Sequence, residues 1–173
     1  MSDLFADSIT PDSIPAEFTR VAAYYNGAYA WPREALARLT GGHILISVTG
    51  DPDAAEAARC IDVERWDATP EQSPEFVGAR FGCGHRDALI YCSLATVPAV
   101  LHFNSPTDLH PWRLWLADWT PDGRPPTRAD LVDRLHAQYG VTVPAWRIWG
   151  CQYASLGSYD ASVLYAPDDF TRP

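Results

Sequence analysis

The 173-residue chain has no lysine: its 13 basic residues are all arginines, against 22 acidic residues, and the formal net charge is −9. A protein that binds duplex nucleic acid needs a concentrated basic face, and the arginines form no cluster in this sequence. We therefore expect no nucleic-acid partner. No apolar run approaches the roughly 20 residues of a membrane-spanning helix, so we expect no membrane insertion.

Motifs for metals, nucleotides and serine hydrolases are also missing. The four cysteines and five histidines lack the spacing of a zinc site and form no H-E-x-x-H pair. The sequence contains no G-x-G-x-x-G, no Walker loop and no G-x-S-x-G elbow. We therefore expect no metal and no cofactor, and carboxylates remain as the best candidates for catalysis.

The N-terminal segment is polar and acidic, without the basic and apolar regions of a secretory signal. We therefore expect synthesis in the cytoplasm without a signal peptide. The length suits one domain, which we place at residues 20–173, with residues 1–19 as an N-terminal lead-in.

Apolar runs alternate with helical segments along most of the chain. The runs predict seven strands at 20–26, 43–48, 60–64, 88–93, 112–119, 146–153 and 159–165. Helices are predicted at 32–39, from 69 to about 81, at 96–102 and at 127–139, where Pro or Thr opens each segment or Gly closes it. Strands separated by helices favour βαβ units and a largely parallel α/β sheet.

Asp62 and Glu64 form the most informative acid pair. Residues i and i+2 of a strand share a face, so the two carboxylates are expected to point the same way. At the carboxyl end of a parallel strand, one acid could protonate a glycosidic oxygen while the other steadies the developing positive charge. In so acidic a chain such pairs also arise by chance, as with Asp51 and Asp53, which are expected in a solvated turn.

Other polar and aromatic residues fall near predicted strand ends. Asp118 and Asp160 are either acids at the rim of the same mouth or ordinary polar strand ends, and Tyr25 and Asn26 could hydrogen-bond a ligand. The chain also has seven tryptophans and eight tyrosines, several of them near strand ends. Such rings could stack on sugars or could simply fill the core.

Five short segments, taken in chain order, resemble the family-25 glycoside hydrolases, which are bacterial and phage muramidases. They are still more similar to the shorter glycoside-hydrolase-like domains of actinobacteria and their phages. The segments are IDVE at 61–64, IYCS at 90–93, LWLADW at 114–119, QY at 152–153 and YD at 159–160.

This resemblance implies a reduced TIM-like (β/α) barrel of about seven mostly parallel strands, trimmed of a βα unit near its start and with few helices near its C-terminal end. It implies Glu64 as proton donor, with Asp62 and Asp160 as supporting acids. The substrate and partner would be peptidoglycan or a related polysaccharide. The candidates for substrate binding are Tyr25, Asn26, Tyr91, Trp115, Asp118, Gln152 and Tyr153.

The muramidases carry Asp-x-Ser on their first strand, whereas the first predicted strand here ends in Tyr24, Tyr25 and Asn26. If Asn26 takes the place of that Asp, one acid of the cluster is lost. The leading hypothesis is a muramidase-type hydrolase that reaches the cell wall as a phage lysin or virion component. The alternatives are an inactive glycan-binding or structural protein of a phage or cell-surface assembly, and an intracellular small-molecule α/β enzyme.

Overall fold

The computed structural model describes residues 4–39, 42–104 and 110–165, and within these ranges it contains eight strands and five α-helices. The strands are β1 (Leu4–Asp7), β2 (Arg20–Tyr24), β3 (Gly42–Ser47), β4 (Cys60–Asp62), β5 (Ala88–Ser93), β6 (Trp112–Ala117), β7 (Ile148–Ser155) and β8 (Asp160–Leu164). The helices are α1 (Arg33–Leu36), α2 (Pro52–Ala57), α3 (Ser73–Gly82), α4 (Val97–Phe103) and α5 (Arg128–Tyr139).

The eight strands close into a barrel in chain order. Strands β1 to β7 run parallel, while β8 is antiparallel to both β7 and β1 and seals the barrel between them. The carboxyl ends of β1 to β7 therefore meet at one rim, and the first residue of β8 lies at the same rim. We call this rim the mouth.

The α/β character and the mainly parallel pairing predicted from the sequence are confirmed, but the strand count is corrected from seven to eight. The additional strand, β1, lies in the segment 1–19 that was predicted to be a lead-in. The barrel therefore lacks no strand near its start, although within residues 4–39 only a 3-10 turn and no α-helix connects β1 to β2. Residues 1–3 of that segment and 166–173 of the predicted domain lie outside the described residues.

Several elements end earlier than their apolar runs predict. Strand β4 ends at Asp62 instead of residue 64, because a turn begins at Glu64, whose carbonyl oxygen accepts a hydrogen bond of 3.2 Å from the Asp67 N–H. Strand β2 ends at Tyr24, so Tyr25 and Asn26 belong to the following loop. Residues 156–159 connect β7 to β8 without a helix, as predicted for this part of the chain.

Each strand contributes side chains to two apolar layers, because successive residues of a strand point to opposite faces. The outer layer packs beneath α2 to α5 and includes Phe76 on α3 and Leu131 and Leu135 on α5. The inner layer fills the barrel with aromatic and aliphatic side chains, among them Phe5 and Trp149. In the described part of the chain, no helix combines the length and the apolar character needed to cross a membrane.

Candidate active site

Inward-facing side chains change from apolar to polar towards the mouth. Phe5, Ala22, Cys60 and Leu89 belong to the inner apolar layer, and two residues further along each strand comes a polar side chain of the same face. Gln152 on β7 and Asp160 at the start of β8 complete this level. We call the whole set the polar layer; it comprises Asp7, Tyr24, Asp62, Tyr91, Gln152 and Asp160.

Gln152 links two acids of the polar layer. Asp7 and Asp160 are direct cross-strand partners of β1 and β8, so their side chains lie next to each other. The Gln152 Nε2 donates to Asp7 Oδ2 at 3.0 Å and to Asp160 Oδ2 at 3.3 Å. The Tyr91 hydroxyl donates to Gln152 Oε1, which fixes the orientation of the amide. The amide therefore holds two carboxyl groups at one side of the mouth.

Asp62 lies deeper than is usual for a carboxylate, with 1% of its surface exposed. The Tyr24 hydroxyl donates to its Oδ2 at 3.2 Å. Its other oxygen, Oδ1, is buried and has no hydrogen-bond partner among the described residues, and the same holds for Oδ1 of Asp7. Buried polar atoms are normally paired, so two carboxyl groups with an unpaired oxygen in one layer favour a site for an external ligand.

Glu64 follows β4 on the turn that ends at Asp67. Besides the Asp67 N–H contact, the Ala68 N–H donates to the Asp62 carbonyl at 3.1 Å, which folds the turn back over the end of β4. Glu64 is exposed as a residue, while its carboxyl group is partly withdrawn from water by its neighbours. The Glu64 carboxyl group therefore lies between the solvent, from which a ligand would come, and the buried acids.

Burial raises the pKa of Asp7 well above its usual value. The charges of Asp160 and Glu64 raise this pKa further, while the hydrogen bond from Gln152 opposes them. Burial also raises the pKa of Asp160. Like charges this close disfavour joint ionisation, so Asp7 and Asp160 behave as a coupled pair.

Asp62 and Glu64 form a second coupled pair. Burial raises the pKa of Asp62 well above its usual value, and the charges of Glu64 and Asp67 add to this effect. Partial burial also raises the pKa of Glu64, together with the charges of Asp67 and Asp160. The cluster thus favours retention of protons, which is the property a general acid needs near neutral pH.

An open cleft of about 430 Å³ gives access to the cluster from one side. Its walls include Asp7 and Asp160 from the polar layer, with Tyr24 and Tyr159 beside them. Within the described ranges, no group of three or more His, Cys, Asp or Glu side chains is arranged to hold a metal ion. Asp7 and Asp160, whose pKa values are raised at the wall of an open cleft, suit proton transfer and charge stabilisation by carboxyl groups.

Five of the residues singled out from the sequence come together at the mouth: Asp62, Glu64, Asp160, Tyr91 and Gln152. Trp115 lies beneath them, fully buried, with its ring centroid 4.8 Å from that of Tyr91 and its Nε1 donating to Ser162. It supports the polar layer from below.

The side chains of the other four candidates have their contacts outside the polar layer. Asn26 is held by the loop after β3, accepting from the Val48 N–H at 2.9 Å. Asp118 forms an ion pair with Arg134 of α5. Tyr153 belongs to the outer apolar layer, and Tyr25 is exposed on the loop after β2.

Asp7 was missed by the sequence reasoning, which placed the first strand at β2 and the position of a first-strand acid at Asn26. The structure corrects the position of the first strand, which is β1 and ends in Asp7, followed by Ser8. The available signal was the apolar run Leu4–Ala6 directly before an Asp-Ser pair, a short strand closed by polar residues.

Comparison with protein-family models, with curated proteins and with solved structures finds no match for this chain. Its candidate active site is therefore defined by the geometry of the mouth alone.

Proposed function

We propose that the protein is a glycoside hydrolase that cleaves peptidoglycan or a related polysaccharide by carboxyl-group catalysis. The observation that carries the proposal is the gathering of Asp7, Asp62, Glu64 and Asp160 at one mouth. Glycosidic cleavage needs a protonated acid beside the leaving oxygen and an ionised acid near the positive charge of the transition state. A set of coupled acids with raised pKa values provides both states at the same pH.

Glu64 is the proton donor in this mechanism. It is the most exposed acid of the cluster, and a raised pKa keeps its proton available for the glycosidic oxygen. Asp62 is held by Tyr24 and has one oxygen without a partner among the described residues. It stabilises the oxocarbenium-like charge or positions an N-acetyl group or a water. Asp7 and Asp160, joined through Gln152, adjust the charge of the site.

The parallel run from β1 to β7, with acids at its carboxyl ends, supports a reduced TIM-like (β/α) barrel of the muramidase type, because such barrels carry their sites at this end. One of the two reasons to consider an inactive relative was the loss of the first-strand acid; the other was that the chain is a single short domain. Asp7 at the end of β1 removes the first reason, so we favour the enzyme. We also propose that it meets its polysaccharide as part of a phage or cell-wall system.

The direct test compares the wild type with Glu64→Gln on purified cell walls, following turbidity and the release of reducing ends. We expect the variant to lose activity by at least about 100-fold, as removal of a general acid does. Glu56→Gln is the matched control, since Glu56 is exposed in the last turn of α2, far from the mouth. Equal release by the wild type and Glu64→Gln would refute the proposal.

A further inference from the structure

A second cleft, of about 500 Å³, opens on the same face of the barrel. Its walls come from three loops that follow the carboxyl ends of β2, β3 and β4. The side chains that matter here are Tyr29, Thr49, Trp66, Asp67 and Gln72. We call it the Trp66 cleft.

Trp66 occupies a backbone conformation that tryptophan rarely adopts. The hydrogen bond from the Asp67 N–H to the Glu64 carbonyl closes a four-residue turn, and Trp66 is its third residue with φ 82°. A turn with positive φ at this position normally has Gly or Asn there, because a side chain is strained. The chain keeps a large side chain where glycine would fit best, which indicates a use for that side chain.

The Trp66 side chain is almost entirely in solvent, with 85% of its surface exposed. The Arg65 guanidinium lies over the indole, 4.5 Å from the ring centroid, and so restrains it. Tyr29, itself half exposed, lines the same cleft. A restrained, hydrated indole gains free energy when a ligand covers it.

The polar groups around Trp66 suit a neutral sugar. Asp67 can accept hydrogen bonds from sugar hydroxyls, and the Gln72 amide is fixed at the wall, because its Oε1 accepts from the Thr69 N–H at 2.8 Å. Gly50 allows this approach, since a Cβ there would lie 2.6 Å from Gln72 Cβ. A pyranose ring can stack its C–H face on the indole while the hydroxyl groups at its edge form hydrogen bonds with such polar groups.

Asp67 connects the Trp66 cleft with the acids of the mouth. Asp67 lines it and also raises the pKa of both Asp62 and Glu64 by its charge. The cleft that contains Asp7 and Asp160 is lined by residues of β1, β7 and β8 and by Tyr24 at the end of β2. Glu64 directly precedes Arg65, which lines the Trp66 cleft, and the charge of Asp160 at the other cleft helps to raise the pKa of Glu64.

We infer that the Trp66 cleft is a saccharide subsite, in which the indole of Trp66 covers one pyranose ring of a glycan whose next linkage lies at Glu64. The binding part of this inference stands on the cleft, and only the position of the cleaved bond rests on the proposed function.

The test is calorimetric binding of a β-1,4-linked N-acetylglucosamine tetramer to the Glu64→Gln protein, which removes the proposed acid and prevents turnover. We expect Trp66→Ala in this background to weaken binding by about tenfold or more, from the apolar area that the ring loses to the ligand. Trp119→Ala is the control, because Trp119 is 51% exposed near the end of β6 but does not line the cleft. It should change affinity less than about twofold.

A second variant keeps the test independent of folding. Trp66→Gly fits the positive φ of the turn, so it should unfold no earlier than the parent and yet lose the same affinity as Trp66→Ala. Unchanged affinity in both Trp66 variants, or no binding by the Glu64→Gln parent, would overturn the inference. If Trp66-dependent binding occurs while the wild type cleaves no glycan, the hydrolase proposal fails and the subsite stands.

Discussion

Replacing Asp7 with Asn should stabilise the protein at neutral pH. Asp7 is 4% exposed, and its cross-strand partner is another acid, Asp160. Burial first, and then the charge of Asp160, raises the pKa of Asp7. Asn keeps an oxygen that can accept from Gln152 and removes the charge. The variant therefore keeps the packing of the mouth and loses its electrostatic cost.

The size of this effect follows from the spacing of the pair. Directly opposed residues of neighbouring strands have Cβ atoms about 5 Å apart, and two charges at that distance repel by about 3 kcal/mol at an effective dielectric constant of about 20. This value is the upper limit of the cost, because Asp7 can take up a proton instead. Asp160 is half-buried, so solvent screens part of this repulsion. We expect a gain of about 2 kcal/mol, or a rise of about 4–8 °C in Tm for a protein of this size.

The pH dependence gives the sign of the effect. A carboxyl group whose pKa is raised by folding contributes stability that is present below its unfolded pKa and is lost as the pH rises through its folded pKa. Wild-type stability should therefore fall from acidic to neutral pH more steeply than that of Asp7→Asn, and the two should converge in acid. Urea unfolding at several pH values measures this, with Asp133→Asn on the exposed face of α5 as control. A loss of stability that is equal at every pH would refute the reasoning.

Three further substitutions test other parts of the structure. Gly150→Ala should destabilise the barrel by about 1–3 kcal/mol in urea, since its Cβ would lie 2.9 Å from the Val163 carbonyl oxygen; Gly78→Ala on α3, where nothing lies within 4 Å, is the control and should not destabilise. Tyr24→Phe removes a hydrogen bond that lowers the pKa of Asp62, so the acidic limb of the pH–rate profile should move to higher pH, and an unchanged limb would contradict this role. Trp66→Gly should leave Tm unchanged or raise it, because a strain of about 1–2 kcal/mol is relieved, and a clear fall in Tm would show that the turn is not strained.

Elements with strong local signals could be predicted from the sequence. The apolar run 88–93 is β5 with the same bounds, and the predicted helix 127–139 is α5, which begins after its Thr127 cap and ends before Gly140 in the left-handed conformation. In both cases the residues that define the ends lie within the segment itself.

Strand β1 could not be recognised in the same way, because its stability comes from distant parts of the chain. All four of its residues pair with β8, near the other end of the described chain, and its last two also pair with β2. The pair Asp62 and Glu64 could be proposed from its spacing alone. The contact of Asp7 with Asp160 exists only because the barrel closes, so no local pattern indicates it.

The buried acids of the polar layer lack the ion pairs that stabilise a buried acid elsewhere in the chain. Asp87 is paired with two arginines, at 2.9 Å from Arg59 and 2.7 Å from Arg80, which offset the cost of burying its charge. In the described part of the chain, Asp7 and Asp62 have no such ion pair, and each leaves an oxygen unsatisfied. Ion pairs with arginine would neutralise these carboxyl groups, as they do for Asp87. Leaving the groups unpaired adds no stability to the fold. A cost of this kind is expected where acids exchange protons with a ligand.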